Sequence, residues 1–268
     1  MLRLPVNGYD MSYIDLGEGP ALVCLHGSLG DFRVWSSVLG PLSRRHRVIV
    51  PSLRHFFPEH WDGSGGSYTI AQHIADAIGF IEALAIGPVH LMGHSRGGHI
   101  AFRVAQQRPD LLRRLVLAEP GGDLDASLAP PDLAHPPMRT AGAAAAERIA
   151  AGDVDGGLAG FIDALEGKGA WRALPGHERQ QLRDNAMTLL GQINEQRRPY
   201  SRADAEGIRV PTLFVGGERT PGLLAVMLRA LAAHVPGAQV AIIPKTTHFM
   251  FGQDPVGYCA AVLPFLAE

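Results

Sequence analysis

Short apolar runs alternate with longer amphipathic segments over most of this chain, and no other feature narrows the fold as much. "PALVCLHG", "HRVIVPS", "PVHLMGHS" and "LRRLVLAEP" read as strands, while "FRVWSSVLGPLSRR", "TIAQHIADAIGFIEAL" and "RGGHIAFRVAQQRPD" carry apolar residues at helical spacing. Strands of continuous apolar character are buried on both faces, and the helices between them supply the covering layers. The pattern therefore predicts an α/β fold with a mostly parallel sheet. Ligands in such sheets sit beyond the carboxyl ends of the strands. The chain opens differently, because apolar alternation flanks "VNGYD", where Asn7-Gly8 predicts a two-residue hairpin turn.

The alternation lapses at Gly122 and resumes with "GIRVPTLFVGG" (strand), "GLLAVMLRALAAHVP" (helix), "AQVAIIPKTTH" (strand and loop) and "DPVGYCAAVLPFLAE" (helix). In the last, Asp254 and Pro255 make an N-cap and first-turn pair. Within the gap, "AAAAERIAAG", "LAGFIDALEG" and "ERQQLRDNAMTLLGQINEQ" each fit a helix. The segment is too long for a plain loop and too apolar for a disordered linker. The expected organisation is a core split into residues 1–121 and 208–268, with a helical cap over 122–207.

A chain of 268 residues with 46% hydrophobic and 19% charged residues has globular composition. Its formal net charge is -2 and Lys and Arg form no long runs, so neither a nucleic-acid nor a membrane partner is expected. No stretch approaches the ~20 apolar residues that cross a bilayer, and the opening residues lack a signal-peptide core. The expected location is cytoplasmic, with Cys24 and Cys259 as reduced core thiols. The expected partners are a small-molecule substrate and, at most, a second copy in a homodimer. Neither H-E-x-x-H nor clustered Cys and His occurs, so no metal and no other cofactor is expected.

Chemistry enters at "GHSRGG", residues 93–98, a G-x-S-x-G match between a predicted strand and a predicted helix. A sharp turn there crowds the backbone, which explains Gly93 and Gly97, and it lifts the Ser95 hydroxyl as a candidate nucleophile. The amides at the start of the helix point toward the same place and suit an oxyanion. A serine hydroxyl needs a base near neutral pH, and histidine supplies one. His248 in "IIPKTTHFMFGQDP" follows the last predicted strand; of the elbow's own histidines, His94 points the wrong way by strand alternation and His99 lies one helical turn on. A third residue is out of place in another way: "LVLAEPGG" puts the charge of Glu119 at the end of a strand otherwise buried on both faces.

With these pieces in place the chain resembles the α/β-hydrolase fold superfamily from end to end. "LVCLHGSLGDFRVW" is similar to the family's strand-to-loop H-G segment, and the "GHSRGG" elbow, the cap insertion and the histidine of "TTHFM" follow in the family's order. The resemblance implies an eight-stranded, mostly parallel sheet with a helical cap. It also implies an oxyanion hole made by the backbone N–H groups of Ser28 and Arg96, a structural role for His26, and His248 as base. Most members take the acid from the loop after the seventh strand, where this chain reads "VPTLFVGGERTPG" and Thr220 occupies the usual aspartate position. Glu218 is the alternative there. Some members, certain haloalkane dehalogenases and lactone hydrolases among them, take it from the end of the sixth strand, and Glu119 resembles that placement.

The reading for this chain is a serine hydrolase of small to medium hydrophobic esters or lactones, with Ser95, His248 and Glu119 as the catalytic set. Two alternatives use the same scaffold: hydrolysis of a carbon–carbon bond in a vinylogous diketone, and ligand binding without turnover. Ser95 argues against the branches that open haloalkanes or epoxides with an aspartate nucleophile. Candidate pocket-lining residues are Phe161, Trp171, Asn185 and Met187 in the cap. Arg54, His55, Phe56, Phe57 and Trp61 form a bulky loop near the site's mouth.

Overall fold

The structure, a computed structural model, describes residues 1–130 and 139–267. The hairpin forms as the sequence predicts: β1 (Leu2–Val6) and β2 (Tyr9–Leu16) pair antiparallel across Asn7 and Gly8, both at positive φ, as a two-residue turn of this hand requires. Then follow β3 (Ala21–Leu25), α1 (Ser36–Ser43), β4 (Arg47–Pro51), α2 (Ile70–Leu84), β5 (Val89–His94), α3 (Arg96–Gln107) and β6 (Leu112–Ala118). Six helices come next: α4 (Arg139–Ala150), α5 (Val154–Glu166), α6 (Ala170–Ala173), α7 (Gly176–Asp184), α8 (Thr188–Gln192) and α9 (Arg202–Glu206). The chain then continues through β7 (Thr212–Gly217), α10 (Leu223–Ala232), β8 (Gln239–Ile243), α11 (Met250–Gln253) and α12 (Pro255–Ala267).

The eight strands form one sheet in the order β1-β2-β4-β3-β5-β6-β7-β8. β2 is antiparallel to both neighbours, and every pairing from β4 to β8 is parallel. Consecutive residues of a central strand feed opposite cores, which is why those strands read as unbroken apolar runs. Val23 and Leu25 of β3, with Leu115 and Leu117 of β6, join α2, α3 and α10 on one face. Leu22, Cys24, Val116 and Ala118 join α1 and α12 on the other. Each fully buried side chain of this kind stabilises the fold by roughly 1.5–3 kcal/mol, so the central strands are fixed in register. Cys24 and Cys259 are buried and unpaired.

The helices between β6 and β7 have a core of their own, built around Ala145, Ala146, Ile149, Leu158, Phe161, Trp171 and Leu189. Leu29, from the loop after β3, is part of that core, so the loop and the helices pack as one unit. The pattern "ERQQLRDNAMTLLGQINEQ" predicts one helix and the structure makes two, α7 and α8, separated at Asn185. The Asn185 amide turns away from helical geometry to reach other elements: Nδ2 donates to Asp31 Oδ2 (2.7 Å) and Oδ1 accepts from the Phe57 N–H (2.7 Å). Among the described residues no helix is long and apolar enough to cross a membrane.

Candidate active site

Ser95 sits between β5 and α3 with φ 51° and ψ -118°, a conformation rare for any residue with a side chain. The turn is held from three sides. Its N–H donates to the Ala118 carbonyl (3.0 Å), and its carbonyl accepts from the N–H groups of His99 (3.1 Å) and Gly121 (2.8 Å). The glycines of the motif are required by close approach: a Cβ on Gly93 would lie 2.3 Å from the Gly97 carbonyl oxygen, and one on Gly97 would lie 2.3 Å from that of Leu25. Arg96 is the first residue of α3, so its main-chain N–H has no acceptor inside the helix. Ser28 follows Gly27, whose added Cβ would lie 3.0 Å from Ser95 Cβ, in the loop after β3, and the Ser28 hydroxyl donates to Gln192 Oε1 (2.7 Å) at the end of α8. His26 holds this loop in place: its Nε2 accepts from the Leu53 N–H (2.9 Å) while Nδ1 faces the Gly27 carbonyl (2.9 Å). Burial pushes the His26 imidazole down to about 4, so the ring is neutral.

The structure brings His248 and Glu119 together. His248 follows β8, and its Nδ1 is 2.7 Å from Glu119 Oε2. The second carboxylate oxygen of Glu119 accepts from the Gly217 N–H (2.8 Å) at the end of β7, so both oxygens of this fully buried group are used. Glu119 itself adopts φ 40°, which turns its side chain back across the strand ends. The far nitrogen of His248, Nε2, is buried without a protein partner among the described residues. A second histidine supports the first. The His94 ring packs 4.4 Å from that of His248, and its Nε2 donates to the His248 carbonyl (2.9 Å). Burial and the neighbouring His248 hold His94 well below the usual range, so it adds no charge there.

Glu218, the alternative acid, is not brought to His248. It is exposed, and its Oε2 accepts from the Lys245 N–H (2.8 Å). Thr220 is buried nearby, and its hydroxyl has no partner among the described residues. Among the expected lining residues, Phe161 and Trp171 lie in the core of the helical layer, and Asn185 uses both ends of its amide on Asp31 and Phe57 as described above. In the loop after β4, Arg54 pairs with Asp76 (2.8 Å), and Trp61 stacks on both His55 and Tyr68, which anchors that loop to α2. One carboxylate escaped the sequence reading: Glu166 at the end of α5 accepts from the Thr247 hydroxyl, one residue before His248. Burial raises its pKa. Nothing in "DALEG" marks it, because the contact joins two segments remote in sequence. No group of metal-ligating side chains occurs among the described residues.

The profile of the alpha/beta hydrolase fold family matches residues 20–255. The chain belongs to that family. This α/β hydrolase is 34% identical to epoxide hydrolase 2 of Siraitia grosvenorii over 114 residues, 42% of this chain and 36% of that one. Its alignments with the first of its curated relatives span about a third of their length. Over a longer span it is 27% identical to the sn-1-specific diacylglycerol lipase ABHD11 of Mus musculus, covering 92% of this chain and 81% of the lipase. Among solved structures, the enol-lactonase from Burkholderia xenovorans LB400 superposes with a TM-score of 0.79 at 21% identity, covering 99% of this α/β hydrolase and 100% of the lactonase. At that identity the likeness is one of fold.

Proposed function

We propose that this α/β hydrolase cleaves a carboxylic ester or lactone of a small-molecule substrate through an acyl-enzyme on Ser95. The observation that carries the reading is the bond from His248 Nδ1 to the buried Glu119, which leaves Nε2 without a partner among the described residues and free to take a proton. In the proposed mechanism Nε2 removes the Ser95 proton as Oγ attacks the carbonyl. The Ser28 and Arg96 amides receive the negative charge that develops on the carbonyl oxygen, and His248 returns its proton to the leaving alkoxide. Glu119 fixes the tautomer and balances the imidazolium. Water, activated by the same histidine, then releases the acid. The helices α4–α9 act as the lid of the pocket, and the two unpaired thiols suit a reducing, cytoplasmic setting.

Labelling by a fluorophosphonate probe, mapped by peptide mass spectrometry, tests this without knowledge of the substrate. Rapid modification of Ser95 is expected, and the Ser95→Ala protein should remain folded, resist the probe and hydrolyse no ester. An active Ser95→Ala protein would refute the proposal.

A further inference from the structure

The segment from Gln192 to Tyr200 crosses the elbow and is tied down at three places that flank Ser95. Gln192 accepts from the Ser28 hydroxyl, Glu195 pairs with Arg96, and the Tyr200 hydroxyl donates to the Gly121 carbonyl (3.0 Å). Arg197 lies within this strap, and its charge balance is unusual. Two guanidinium groups share one carboxylate: Arg96 donates to Glu195 Oε1 (2.5 Å) and Oε2 (2.6 Å), and Arg197 donates to Oε2 through Nε (3.0 Å). Arg96 also donates to His73 Nδ1, while His73 Nε2 faces the Arg54 carbonyl (3.2 Å). Burial and the Arg96 charge hold His73 well below the usual range, and His99 is likewise kept neutral by burial and by Arg197. Three carboxylates near the strap and the loop after β4 are engaged elsewhere: Asp204 with Arg103 and Arg198, Glu59 with Tyr9 and His55, and Asp76 with Arg54.

Guanidinium groups do not deprotonate at ordinary pH, so the cluster holds a net positive charge in a place where burial makes an unbalanced charge costly. The excess is located at Arg197. Its Nη2 is buried, lies 3.0 Å from Glu195 Oε2 without the alignment of a hydrogen bond, and has no other partner among the described residues. The Arg96 and Glu195 side chains are 0% and 1% exposed, whereas that of Arg197 is 18% exposed, so Arg197 is the charged member of the cluster that an incoming group reaches. A planar donor edge with one unmet charge matches a carboxylate in both geometry and sign.

We infer that Arg197 binds a carboxylate of the substrate beside Ser95, so that the ester or lactone cleaved here carries a second, anionic acid group. This rests on the serine hydrolase reading above, and it narrows the hydrophobic substrate expected from the sequence to a monoanionic one. The test compares two 4-nitrophenyl esters of matched chain length, one ending in a carboxylate (the hydrogen glutarate) and one ending in a methyl group. In the wild type the carboxylate ester should be favoured at least tenfold in kcat/KM. That ratio should fall at least tenfold in Arg197→Met and be partly retained in Arg197→Lys. General damage to the fold lowers both substrates together and leaves the ratio unchanged. A wild-type ratio near one, or a ratio that survives in Arg197→Met, would overturn the inference.

Calorimetric binding of glutarate against its neutral diamide gives a readout independent of turnover and of any variant's folding. Preferential binding of the dianion by the wild type supports the site, and equal or absent binding of both overturns it. Failure of Ser95 to react with the fluorophosphonate would sink the hydrolase reading alone and leave the binding result standing.

Discussion

Glu119 shows how much one buried carboxylate can be asked to do. One oxygen orients His248 and the other ties down the Gly217 N–H at the end of the neighbouring strand. Glu119→Gln keeps the shape but replaces one acceptor oxygen by a donor, so the imidazole is presented with the wrong tautomer and loses its counter-charge. Under the proposed mechanism kcat should fall by about three to four orders of magnitude, with the melting temperature changed little. Glu218→Gln, at an exposed position, should change kcat less than about twofold; steady-state kinetics on one activated ester measures both. Glu119, Ser95 and His248 stood out in the sequence because each breaks a local pattern: a charge at the end of an apolar strand, a serine between two glycines, a histidine in a strand-to-helix loop; the structure brings the first and the last into contact. Glu195 and Arg197 break no pattern. Glu195 takes its meaning from a pairing with Arg96 across 99 positions, and Arg197 from sharing that carboxylate, which spacing does not reveal.

Among elements, the elbow and the inserted helices respond to the same substitution in opposite ways. A Cβ on Gly97 would lie 2.3 Å from the Leu25 carbonyl oxygen and 2.4 Å from that of His26, so α3 and β3 would have to separate. Gly97→Ala should cost at least ~3 kcal/mol in urea unfolding and is expected to reduce soluble yield. Gly160 is exposed in α5, with nothing within 4 Å of its added Cβ, and Gly160→Ala should stabilise the protein by about 0.5–1 kcal/mol. The strand and helix alternation was readable because burial on two faces leaves a periodic trace. The break between α7 and α8 was not, because it depends on where Asp31 and the Phe57 amide stand in space to receive Asn185.

Across the whole molecule, the buried neutral histidines set an acid limit on stability. His26 has a pKa of about 4 in the folded protein, pushed there by burial, against an ordinary 6.5. Between these values the unfolded chain binds the proton and the folded chain does not, so stability falls as pH drops through 6.5 and the loss is complete near 4. For His26 alone this amounts to about 3 kcal/mol. His73, His94 and His99 are shifted in the same direction. Scanning calorimetry should show a melting temperature that declines steadily from pH 7 to pH 4.5; a flat profile over that range would contradict the assignment. The placement of the acid also bears on how the molecule is made. Ser95 and Glu119 belong to one β5–α3–β6 unit, whereas His248 follows β8. As the ribosome extends the chain, the nucleophile and acid emerge together and long before the base. Under the proposed roles, the site stays chemically silent until the segment that carries His248 has emerged and docked on the sheet.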